Sequence, residues 1–150
     1  MRAVLQRVSR ASVDVDGTTI AAIGEGLLVL AGIAADDGDD DARWLARKIA
    51  TLRVFDDDAG AMNRSLADVG GNVLVISQFT LHASTKAGAR PSWSRAAPPD
   101  VAAPAFERFV ATLEATLGRP VARGRFGADM AVALVNDGPV TIVLDSHARE

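Results

Sequence analysis

The sequence predicts an α/β fold of the α+β type: a mixed or antiparallel β-sheet, or partial barrel, with two main helices packed on one side. Three observations predict it. Apolar runs rich in Val, Ile and Leu outnumber helical stretches, hairpin signals such as Asp16-Gly17 join several of them, and only two segments carry a sustained helical period. At 150 residues the chain is expected to form one domain, residues 1–150, burying about 68–70% of its unfolded surface.

Taken in order, Ala3 to Val8 reads as a strand, and Ala11 to Asp16 with Thr18 to Ile23 as a hairpin. Gly26 to Ile33 is a continuous apolar run, the pattern of a buried strand. The acidic cluster from Asp36 to Asp41 precedes Ala42, Leu45, Ala46, Ile49 and Leu52 at helical spacing. Carboxylates are favoured at a helix N-terminus, so a helix starts there. The same acids lack the alternation and distal Glu of a calcium loop. Arg53 to Phe55 is a short strand, and Met62 to Val69 is ambiguous, with room for one helical turn. Asn72 to Leu81 is a second buried strand, which makes the first helix a candidate crossover.

Residues 82–98 have no period and form a long loop, a length usually reserved for function. Asp100 caps a second helix whose apolar face is Phe106, Phe109, Val110, Leu113 and Leu117; Pro104 offers an alternative start, and Gly118 with Pro120 ends it. Val121 to Phe126 opens the closing strands. Met130 to Leu144 then reads as strand, tight turn and strand around Asn136-Asp137-Gly138-Pro139. X-Pro bonds are the ones that adopt cis, so the Gly138-Pro139 step is either an ordinary trans turn or a cis corner. The last five residues, with His147, read as a frayed tail.

Composition narrows the function. There is no cysteine, hence no disulfide, thiolate nucleophile or Cys-based metal site. No apolar run approaches the roughly 18 residues that span a bilayer, so a soluble protein with no membrane partner is expected, and the absence of cysteine suits a reducing, cytoplasmic setting. A net charge of −3 argues against gripping a long nucleic-acid backbone, though a single-stranded end needs only local Arg and Lys. No phosphate loop, dinucleotide fingerprint or nucleophile elbow is present, and the two histidines, His82 and His147, share no metal spacing. No cofactor and no metal are expected. A Ser77-His82 pair would need a bend, since residues five apart on a strand point to opposite faces.

Ser77-Gln78-Phe79-Thr80-Leu81 stands out at the end of a core strand, where polar groups must find partners or face a cleft. SQFTL at 77–81 together with NDGPVT at 136–141 resembles the D-aminoacyl-tRNA deacylases. The resemblance runs through MRAVLQRVSRASV, GEGLLVLAGI, Met62-Asn63, Arg90-Pro91-Ser92 and the stretch from Gly124 to Met130.

The resemblance implies a homodimer with active sites at the interface, acting on a tRNA acceptor end that carries a D-amino acid or glycine. Gly138 and Pro139 would form a cis corner reaching into the partner's pocket, capturing the α-amino group and rejecting L side chains. Ser77, Gln78, Phe79 and Thr80 would line the ester pocket, with backbone N–H groups near Phe79 and Thr80 as oxyanion donors. Water would be activated by the terminal 2′-OH or, in the older view, by the Thr80 hydroxyl. Phe126, Ala128 and Met130 would wall the adenine side with Asn136 nearby, and Arg2, Lys86, Arg90 and Arg95 are phosphate candidates. Two rival readings stand beside this one: an esterase using Ser77, and a non-catalytic homodimeric binding domain of the same fold.

Overall fold

The computed structural model describes residues 1–149. Its organising strand is β1, Arg2–Val15, which pairs with three others. The first half of β1 lies antiparallel to β3 (Gly26–Gly32) and the second half to β2 (Thr18–Ile23). Its other edge is covered along almost its whole length by β8 (Ala131–Asp145). β3 continues in parallel to β6 (Asn72–Ser77), and β6 to the short β7 (Ala122–Arg123). The result is a mixed, nearly closed sheet, as expected. The β3–β6 pair is parallel, so the intervening helix is a true crossover.

That helix, α1, spans Asp39–Thr51 and buries Ala42, Leu45, Ala46, Ile49 and Ala50. Asp41 reaches back to accept from the Gly38 N–H at 2.9 Å, so the acidic cluster caps the helix. The ambiguous segment 62–69 resolves into β5 (Met62–Ser65), paired with β4 (Arg53–Asp56), and a single helical turn, α2 (Leu66–Val69). Ser65 and Asp68 cap α2 reciprocally, the Ser65 N–H donating to the Asp68 carboxylate at 2.8 Å.

The second long helix, α3, spans Pro99–Leu117. It starts at Pro99 rather than at Pro104, which lies inside it, and its N-cap is Pro98, so Asp100 is a first-turn residue and not the cap. The N–H groups of Val101 and Ala102 already bond the Pro98 carbonyl, and Pro104 deletes only one later bond, next to exposed Asp100. α1 and α3 pack together on one face of the sheet, where Leu5, Val29, Val75, Phe106 and Phe109 join the main core. Val8, Val13, Leu28, Leu74 and Ile76 form a second cluster on the other face.

Three further expectations are corrected. The β6 strand stops at Ser77, and Phe79–His82 form a 3₁₀ turn in place of its last residues. Met130 to Leu144 is not a hairpin, because the runs on both sides of Asn136-Asp137-Gly138-Pro139 pair antiparallel with the same strand, β1. Asn136 faces Val8 and Thr141 faces Gln6, so residues 137–140 bulge out opposite Arg7 alone. Finally, residues 146–149 are tied down rather than frayed. Ser146 is buried and its N–H bonds the Met1 carbonyl at 2.9 Å; the His147 Nε2 lies 2.8 Å from Asp37; the Arg149 guanidinium sits 5.3 Å from the Trp44 ring centroid. Glu150 lies outside the described residues.

Candidate active site

Where β3 and β6 end, the chain leaves a cavity of about 600 Å³, the size of a small-molecule site. Ser77, Gln78 and Phe79 form one wall, and Phe126, Ala128 and Met130 another. All six were singled out in the sequence, and all six meet here. The Gln78 N–H bonds the Ala31 carbonyl at 2.8 Å, extending the β3–β6 ladder one step before the backbone turns. This register fixes the pocket floor. On the second wall, Met130 lies over Gly124: a Cβ there would stand 2.6 Å from the Met130 sulfur and 3.0 Å from Ile76 Cδ1. Gly124 is therefore a close-approach glycine, and its lack of a side chain positions Met130.

The polar groups of the first wall have few partners. The Gln78 side-chain amide donates to Thr80 Oγ1 at 2.6 Å. Among the described residues no acceptor outside the 3₁₀ turn takes the N–H of Phe79 or Thr80, as the opening of such a turn requires. Two backbone donors thus remain for a ligand oxygen. His82 is buried, its Nε2 has no hydrogen-bond partner, and burial pushes its imidazole below the ordinary histidine range. With Nε2 making no hydrogen bond to Ser77, it is not placed to take the proton of a serine nucleophile.

Gly138 and Pro139 do not line this cavity in their own protomer. They sit exposed at the crest of the β8 bulge, joined by a cis peptide bond. The bulge is anchored from beneath by Arg7, which is only 7% exposed. The Arg7 Nε donates to the Asp137 carbonyl at 2.9 Å, and Nη1 to the Val54 carbonyl at 2.7 Å and the Asp56 carboxylate at 3.3 Å. Asn136 closes the bulge from within: its Oδ1 accepts from the Val140 N–H at 2.9 Å and its amide donates to Thr141 Oγ1 at 3.0 Å. Asn136 is thus a brace of the corner rather than a cavity residue.

A family model described as D-Tyr-tRNA(Tyr) deacylase matches residues 4–145. The chain belongs to this family. It is 61% identical, over the full length of both chains, to a D-aminoacyl-tRNA deacylase of Chromobacterium violaceum, and 59% identical over the same extent to one of Opitutus terrae. Among solved structures, a c-Myc DNA unwinding element binding protein superposes with a TM-score of 0.92 at 42% identity, covering 97% of this chain and 98% of that one. A probable eukaryotic D-amino acid tRNA deacylase shares the fold with a TM-score of 0.81 at 17% identity, covering 95% and 97%.

The four cationic residues singled out in this deacylase-family sequence have different settings. Lys86 and Arg90 are exposed in the 82–98 loop, and Arg95 donates to the Ala83 carbonyl at 3.1 Å from the same loop. Arg2 is instead committed within the fold, to the Asp145 carboxylate at 2.6 Å and the Leu81 carbonyl at 3.1 Å. Burial works against ionising Asp145, yet the Arg2 bond and the His147 N–H hold its carboxyl below the usual carboxylate range. Sequence reasoning missed Trp93, Ala97 and Pro98 on the cavity rim and Arg7 under the corner. Asp36, Asp37 and His147 also converge near the termini, but Asp37 is already paired with the Met1 ammonium and His147.

Proposed function

We propose that this protein hydrolyses the ester joining a D-amino acid or glycine to the 3′ end of tRNA, acting in the cytoplasm as a homodimer. What carries the reading is the full-length, 61% identity to a D-aminoacyl-tRNA deacylase, in a chain whose Ser77, Gln78 and Phe79 line a ligand-sized cavity, with Thr80 beside it rather than in its lining. An aminoacyl ester is already activated, so a held water and preorganised donors suffice. The free N–H groups of Phe79 and Thr80 would stabilise the oxyanion; one such donor is worth about 2.7–4 kcal/mol. The 2′-OH of the terminal ribose would activate the water, and Phe126, Ala128 and Met130 would wall the adenine.

Chirality is set by the second element. Gly138 and Pro139 of one subunit reach over the pocket of its partner, where their carbonyls hold the α-amino group and leave no room for an L side chain. A main-chain corner excludes by clash, and no rotamer change relieves it. Two observations support a cross-subunit arrangement. The corner is exposed and takes no part in lining its own cavity, and β8 leaves Val135 and Val143 40% and 68% exposed, apolar surface suited to a second copy. Lys86, Arg90 and Arg95, exposed on the 82–98 loop, would meet acceptor-end phosphates.

The deciding assay compares D-tyrosyl-, L-tyrosyl- and glycyl-tRNA. D-tyrosyl- and glycyl-tRNA are expected to be cleaved and L-tyrosyl-tRNA spared, since glycine has no side chain to exclude. No hydrolysis would favour a pure binding domain, and cleavage of D-tyrosyl- but not glycyl-tRNA would end the exclusion-only account. Thr80→Ala separates the catalytic alternatives. The Thr80 hydroxyl is held by Gln78 and by no acid or imidazole among the described residues, so the variant should keep its rate within about tenfold. A loss of 10² or more, the scale of general acid–base catalysis, would return the water-activating role to that hydroxyl.

A further inference from the structure

Two large aromatic rings at the cavity rim remain without a role in the reaction as described. Phe79 and Trp93 are 53% and 44% exposed, both line the cavity, and their ring centroids stand 5.3 Å apart at 74°. The edge-to-face contact uses the edge of one ring and leaves aromatic face open to solvent. Large apolar side chains held that way, at the mouth of a pocket, mark a place where something flat is laid down. The setting narrows what it is. Trp93 belongs to the 82–98 loop, which also carries exposed Lys86 and Arg90 and, at Arg95, a third cation. Aromatic faces beside exposed cations are the recognition chemistry of single-stranded nucleic acid: bases stack and phosphates pair. The adenine wall of Phe126, Ala128 and Met130 lies on a separate segment, after α3, so the rim pair is free for a different base.

We infer that the Phe79–Trp93 pair stacks the nucleobase immediately 5′ of the terminal adenosine, with the phosphate between them facing the loop cations. This rests on the deacylase reading and extends it: the site would read two nucleotides, one inside the cavity and one on its rim. Such a rim explains how a protein of net charge −3 engages an acceptor end without a broad basic face. It is sequence-tolerant, because every base has a π-face.

The test measures hydrolysis and binding separately. D-tyrosyl esters of adenosine, of the dinucleotide CpA and of tRNA are compared on wild type, Trp93→Ala and Trp93→Phe. Binding of 5′-labelled CpCpA is followed by anisotropy, with adenosine as competitor. Trp93→Ala should lower kcat/KM on the CpA and tRNA esters, and CpCpA affinity, on the order of tenfold. It should leave the adenosine ester within about twofold, because that substrate has no second base. Trp93→Phe, which keeps a stacking face, should restore most of the loss. Equal losses on all three esters would mean that the ring only braces the cavity, and no loss on any would mean that no base rests there; either result overturns the inference. Wild-type protein that binds CpCpA through Trp93 but cleaves no ester would support the rim site and count against deacylation instead.

Discussion

Replacing Arg7 with alanine is expected to lower the deacylation rate about a hundredfold and to erode the discrimination between D- and L-aminoacyl esters. The reasoning starts from the bulge. Four residues, 137–140, stand opposite one, so the β1–β8 ladder offers them no regular partners, and the corner is held by side chains. Asn136 braces it from within, and Arg7 ties it to β4, joining the Asp137 carbonyl to the Val54 carbonyl and the Asp56 carboxylate with one planar guanidinium. Hydrogen bonds to a charged donor contribute about 1.5–3 kcal/mol each, so truncation should also cost about 3 kcal/mol of stability. The activity effect is the larger because a displacement of about 1 Å in a positioning group is enough for a hundredfold loss. Arg7→Lys should fall between, since an ammonium cannot reproduce the fork. A thermal melt and paired D- and L-tyrosyl-tRNA assays check this. Reduced melting temperature with wild-type rate and selectivity would make Arg7 a purely structural anchor.

Arg7 also marks what the sequence could and could not disclose. The strands β3 and β6 and the helix α1 were legible because each buries one continuous apolar surface, and burial writes a period into the chain. SQFTL stood out because polar groups interrupt a core strand, but that pattern fits a capped strand end equally, and its place in a site was read from the family resemblance. The NDGP segment was misread because a hairpin and a bulge share the same local residues; only pairing with a third strand tells them apart. Arg7 was invisible as a positioning residue because its acceptors lie 47 and 130 positions away. The C-terminal tail failed for the same reason, since Ser146 is satisfied by the first residue of the chain. Trp93 sits in a stretch without a period, where nothing local distinguishes a rim aromatic from a stray exposed one.

Gly138→Ala is expected to abolish most D-tyrosyl-tRNA hydrolysis while leaving the fold intact, and the lost activity should return when the variant is paired with a second, differently damaged subunit. Gly138 has φ +135°, a conformation that L side chains rarely adopt, and a Cβ there would stand 2.8 Å from Val140 Cγ2, 3.0 Å from the Val140 nitrogen and 3.1 Å from an Arg7 nitrogen. The corner must therefore move to admit the methyl group. Under the proposed arrangement its carbonyls would then lose the α-amino group of the substrate, at a cost of about 1.5–3 kcal/mol for each charged hydrogen bond, or tenfold to a hundredfold in rate. The core is spared because residues 137–139 are exposed. Ala128→Trp, which fills the cavity, supplies the complementary defect with its own Gly138 untouched. If one subunit's corner serves the other's pocket, a mixed dimer regains one intact site. Random exchange at equal amounts should then recover about a quarter of wild-type activity in a two-fold symmetric dimer. If the corner served the pocket of its own chain, every site in every mixture would carry a defect, and co-expression of the two inactive variants would yield no activity above either alone.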